Sequence, residues 1–153
     1  MQHLAIPHNQ RARDLVERFD FGPVIRCALS KGMTPSTAAR ALEQLKRFLI
    51  ACAEHPNSDI APPSSACDEL WHAFIVADTR SYCRFCDVVY GEYLHHNGAT
   101  ASPERLAAAR RMTNRVFGVS ATAEDPRAPL GSVECLREAI APDCLSEASP
   151  ARL

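Results

Sequence analysis

Between Cys67 and His96 the chain gathers its only tryptophan, Trp71, and all three of its tyrosines. The same stretch holds three of six histidines (His72, His95, His96) and three of seven cysteines (Cys67, Cys83, Cys86). These side chains can ligate a metal, attack as nucleophiles or relay protons. Asp68 and His72 are four residues apart, so on a helix they share one face. Cys83 and Cys86 are three apart and would share a face of the next helix. Two such pairs on packed helices supply four ligands of types that zinc accepts. On one continuous helix His72 and Cys83 would stand roughly 16 Å apart, so a shared ion requires a break at Asp78-Thr79. His95 and His96 lie beyond the far end and replace either pair if the chain folds back. The stretch therefore reads as a candidate site for zinc or another transition metal.

Each residue also has a plainer reading. Ser65 with Asp68 matches the S-x-x-D capping box, which gives Asp68 a structural task. His72 beside Trp71 fits a core or rim histidine, and cysteine is readily buried. His95-His96 fits the C-terminal end of a helix, where an imidazolium is favoured. A Cys–His nucleophile could be drawn from Cys86 with His72 or His96, but no glycine-rich turn or nucleophile elbow accompanies it. A redox C-x-x-C lacks the βαβ context such motifs use.

The elements that must position these residues read as helices throughout. Gln10 to Phe19 places Leu15, Val16 and Phe19 on one face. A second helix spans Phe21 to Leu29, with Pro23 in its first turn. Thr34-Pro35 is a strong start signal, an N-cap hydroxyl followed by proline at the first helical position. From there Ala38, Leu42, Leu45, Leu49 and Cys52 form one apolar stripe, with Arg40, Glu43, Lys46 and Arg47 off it. His55-Pro56-Asn57 ends that helix. A polar, proline-rich loop then leads to a helix starting near Ser65, with Leu70, Trp71, Phe74, Ile75 and Ala77 on its apolar face. Asp78-Thr79 either restarts the chain as a new N-cap or lies within a continuing helix. Tyr82, Phe85, Val89 and Tyr93 form the next stripe, closed by His95-His96-Asn97-Gly98. Ser102-Pro103 starts a last helix, on which Leu106, Ala109, Met112 and Val116 face inward, and Gly118 stops it.

The expected architecture is all-α, a small bundle of five to six helices over residues 8–118. Residues 119–153 read as a Pro/Ala-rich linker and flexible tail, with one short helix over 133–140 carrying Cys135. The chain has 153 residues, 46% of them hydrophobic, enough for one domain with a core. A formal net charge of −1 gives no global field for nucleic acid or anionic lipid. Arg105, Arg110, Arg111 and Arg115 make the last helix locally basic, but without the aromatic residues of a stacking platform. No apolar run is long enough for a membrane span, and the N-terminus lacks a signal-peptide pattern. An odd number of cysteines argues against a closed disulfide framework and for a reducing cytoplasm.

The string Asp68-Glu69-Leu70-Trp71-His72-Ala73-Phe74-Ile75 is followed by Thr79, Tyr82, Phe85-Cys86, Tyr90-Gly91 and Leu94-His95-His96. It resembles the small bacterial proteins labelled "glycine-rich domain-containing protein-like". Their pattern runs D-E-x-W-H-x-x-I, then T-x-x-Y-x-x-F-C, then G-x-x-x-H-H. The likeness covers Ser64 to Asn97, and more loosely Leu42 to Gly118. It implies a helical domain and a site containing Asp68, His72, Tyr82, Cys86, His95 and His96, with Trp71, Thr79 and Tyr90 packing around it. It implies no particular reaction. Related plant proteins carry W-H-x-H, whereas this chain has Phe74 at the second histidine position. A Trp–His–Tyr hydrogen-bonded core that fixes helix packing would leave the same motif.

The resulting expectation is a cytoplasmic, non-enzymatic accessory protein that binds a protein partner or a transition metal through the His/Cys-bearing helices. The alternatives are an enzyme using His72 as general base near Cys86 or Tyr82, and a structural adaptor with no site there.

Overall fold

A computed structural model describes residues 8–96 and 102–118. Six helices and no strand occur among the described residues: α1 (His8–Arg18), α2 (Gly22–Ser30), α3 (Pro35–Glu54), α4 (Ser65–Ala77), α5 (Thr79–Tyr90) and α6 (Pro103–Phe117). The anticipated short helix over 133–140, and Cys135 and Cys144, lie outside the described residues.

Helix starts follow local chemistry. Thr34, Ser64, Asp78 and Ser102 each hold extended backbone and accept a backbone N–H from three residues on. These side-chain acceptors satisfy donors that the first turn of a helix leaves unpaired. Two details correct the sequence reading. The cap of α4 is Ser64 rather than Ser65, and Ser64 Oγ also donates to Gln44 Oε1 on α3 at 2.5 Å. Asp68 is therefore not a capping-box partner. Helix α5 also stops at Tyr90, where Gly91 takes a left-handed φ of 71° and bonds back to the Asp87 carbonyl. Glycine adopts that conformation without a Cβ penalty. Tyr93, His95 and His96 consequently leave the helix and form a return strap, so no helix C-terminus explains the two histidines.

Helix α3 is the centre of the packing. It contacts α1, α2 and α4, and α1 in turn contacts α5. Its burial is wider than the predicted stripe, because Ala41, Phe48, Ile50, Ala51 and Ala53 are also covered. Phe19, Phe21, Phe74, Phe85 and Tyr82 meet edge-on or tilted beside it, with ring centroids 4.9–6.4 Å apart. Such arrangements suit the aromatic quadrupole and add to the area term. Tyr90 spans back to α3, its hydroxyl donating to the Leu49 carbonyl at 2.9 Å.

Helix α6 is fastened to the loop before α4 by polar contacts. Arg105 makes a two-pronged pair with Asp59, Nε to Oδ2 at 2.7 Å and Nη2 to Oδ1 at 3.0 Å. Buried Thr113 receives the Ala61 N–H and donates to the Ala61 carbonyl. One hydroxyl thus serves both polar groups of a buried loop residue. The basic face predicted for this helix is partly spent on structure: Arg105 is engaged with Asp59, while Arg111 and Arg115 are exposed.

Candidate functional site

Asp78 both ends α4 and caps α5, its carboxylate accepting from the Ser81 N–H and hydroxyl. The break anticipated at Asp78-Thr79 is therefore present, and α5 turns back against α4. Thr79 is exposed, and its hydroxyl donates to the Ile75 carbonyl. The hydrogen bonds to Ser81 hold the Asp78 carboxyl below its ordinary range, as a cap should.

Beneath this turn lies a closed polar relay. Trp71 Nε1 donates to Tyr82 Oη at 3.0 Å, and Tyr82 Oη donates to the Leu94 carbonyl at 2.5 Å. Trp71 and Tyr82 are fully buried and Leu94 nearly so. This relay ties α4, α5 and the return strap together through one oxygen atom. Cys86 is sealed beside it, and burial pushes its thiol from the ordinary 9.0 to about 11. Burial likewise pushes the Tyr82 phenol up strongly. The Cys67 thiol is raised by burial first, then by the neighbouring Asp68 carboxylate and Cys52. Such thiols stay protonated at neutral pH and are poor nucleophiles and ligands.

These shifts set an expectation for pH. A thiol whose folded pKa is raised stabilises the fold fully below its unfolded value and loses that contribution as pH climbs through the folded value. For Cys86 the window is from about pH 9 to about pH 11. At pH 8, alkylation of the native protein by iodoacetamide should mark half-buried Cys83 and leave Cys86 and Cys67 untouched until denaturant is added. Peptide mapping reads the result, and rapid native labelling of Cys86 would contradict the sealed core.

The solvent side of α4 carries the second grouping. Asp68 and exposed His72 stand one turn apart on the helix, and the strap lays His96 beside them and against the buried Trp71 indole. His96 Nε2 stands 3.2 Å from Asp68 Oδ1, with both side chains about four-fifths covered. A carboxylate only accepts, so His96 carries its proton on Nε2 in this contact. The His96 ring meets the Trp71 indole edge-on at 4.6 Å and the His72 ring at 5.3 Å. His72 itself is exposed.

The structure thus divides the predicted site residues in two. His96 meets Asp68 and the His72 ring over the buried Trp71 indole. Tyr82 and Cys86 lie in the core, with Cys83 half-buried on the same helix. His95 packs on the Tyr93 ring at 4.8 Å. Among the described residues, no three His, Cys, Asp or Glu side chains are already grouped to hold a metal ion. A family model matches residues 11–130. The chain belongs to the UCP032817-like family. That name carries no activity, substrate or cofactor. No curated protein and no solved structure matches the chain. The family match runs through all six helices, so it covers both the sealed relay and the histidine rim.

The sequence reading missed the Leu94 carbonyl, because a backbone acceptor has no residue-type signature. It also missed Thr113, which stands one place beyond the Met112 named for the apolar face. Gly91 was legible in principle, since a glycine directly after Tyr90 is a helix-stop signal.

Proposed function

We propose that this protein is a small binding module without catalytic activity, whose working face is the histidine rim formed by Asp68, His72 and His96 over Trp71. One observation supports this most: the groups most able to do covalent or acid–base chemistry, Tyr82, Cys86 and Cys67, are buried with raised pKa values, whereas His72 is exposed. An enzyme using His72 as base near Cys86 or Tyr82 needs those two groups open to substrate. A covered cysteine and tyrosine serve packing instead. The likeness to the bacterial glycine-rich domain-containing protein-like group belongs to this reading. On it, the D-E-x-W-H and H-H segments supply the two halves of one rim.

The partner is a protein in a reducing cytoplasm. The five cysteines among the described residues are thiols rather than disulfides, which suits that compartment. No helix among the described residues is long and apolar enough to cross a membrane. The test compares immobilised full chain with its His72→Glu and Cys86→Ala variants in extract from the source cells. A protein retained by the parent and by Cys86→Ala, but lost with His72→Glu, supports the rim. Equal retention by all three contradicts it, as does loss only with Cys86→Ala in a folded variant.

A further inference from the structure

We propose that Asp68, His72 and His96 form a surface site for one divalent transition-metal ion, closed by rotation of the His72 ring. This rests on reading the rim as a binding face, and it names the ligand. Asp68 Oδ1 and His96 Nε2 stand 3.2 Å apart. Two ligand atoms each ~2.0–2.2 Å from a tetrahedral zinc ion are themselves roughly 3.4 Å apart. The separation suits one ion, which sits to the side of the line between the two atoms, so the His96 ring turns to aim Nε2 at it.

The third ligand has to travel. His72 and His96 have ring centroids 5.3 Å apart, and two imidazoles on one tetrahedral ion have centroids about 5 Å apart at the usual bond lengths. The separation fits, but no trio is already grouped, so the His72 ring must turn a nitrogen inward. An exposed side chain moves between rotamers without disturbing the core. The other two ligands are held: Trp71 packs edge-on against the His96 ring, and Asp68 sits in the first turns of α4.

The donor set is two imidazoles and one carboxylate. That set suits zinc, nickel or cobalt, and a tetrahedral ion keeps a fourth position for water or a partner's side chain. The sealed thiols Cys67 and Cys86 take no part, and half-buried Cys83 is the thiol control.

The experiment titrates reduced, untagged full chain with Zn²⁺ by calorimetry and with Co²⁺ by absorption, near neutral pH. One ion per chain is expected, with a Co²⁺ spectrum lacking a thiolate charge-transfer band. Affinity should drop at least about tenfold in His72→Ala and in Asp68→Asn, the scale known even for lesser changes around metal sites, and be unchanged in Cys83→Ser. Absence of binding overturns the proposal, as does binding that His72→Ala leaves intact. The exposed position of His72 keeps that variant folded should His96→Ala or Asp68→Asn unfold the strap. If Zn²⁺ fails to bind while His72→Glu still abolishes partner retention, the metal falls and the rim reading stands. If His72→Glu has no effect on retention either, both fall.

Discussion

Replacing Trp71 with alanine should cost about 3–5 kcal/mol of stability, the range for removing a large buried aromatic side chain. The indole is fully buried, packs on Phe48 with centroids 4.8 Å apart, and meets His96 at 4.6 Å. The substitution removes that area, leaves a cavity between α3 and α4, and strips Tyr82 of the donor on its hydroxyl. Small domains hold only about 5–15 kcal/mol in all, so the variant should be marginal at ordinary temperature. Urea unfolding followed by circular dichroism reads the shift in midpoint. The rim should loosen with it, because the His96 ring rests on the indole. A loss below about 1 kcal/mol would mean that the indole is not the packing centre described.

Tyr82→Phe removes a single oxygen and should still cost about 2–4 kcal/mol. That oxygen accepts from Trp71 Nε1 and donates to the Leu94 carbonyl. Removing it leaves a buried N–H and a buried carbonyl without this partner, each worth about 1–3 kcal/mol when unsatisfied. The phenyl ring retains its contacts with Phe74 and Tyr93, so the loss is polar rather than a matter of packing. A Trp71→Phe/Tyr82→Phe double variant separates the two effects. Its cost should be well below the sum of the singles, because the second change removes a group the first has already orphaned. Additive costs would mean that the two side chains do not act through a shared bond.

These core effects exceed those at the rim because Trp71 and Tyr82 are fully buried whereas His72 is exposed. Local signals carry the helices: Thr34-Pro35 and Ser102-Pro103 announce starts that the backbone takes up. The helical period places Leu45 and Leu49 inward, and Tyr82, Phe85 and Val89 likewise. The choice between Ser64 and Ser65 as a cap is not local, since Gln44 on another helix engages Ser64. The partner of Asp68 is not local either. His96 reaches it only because Gly91 ends α5 early and the strap turns back. Residue type and spacing thus gather the right side chains into one segment. Which of them are sealed and which face solvent depends on the return path of the chain, which periodicity does not encode.

That division of sealed core from open rim is most directly tested by pairing His72→Glu with Cys86→Ala, reading urea stability and retained partner on the same preparations. The account predicts that His72→Glu changes stability by no more than about 0.5 kcal/mol, as exposed substitutions do, yet loses the partner. It predicts that Cys86→Ala loses stability and keeps the partner. The reverse pattern, an unstable His72→Glu with partner retained and a stable Cys86→Ala with partner lost, would contradict it.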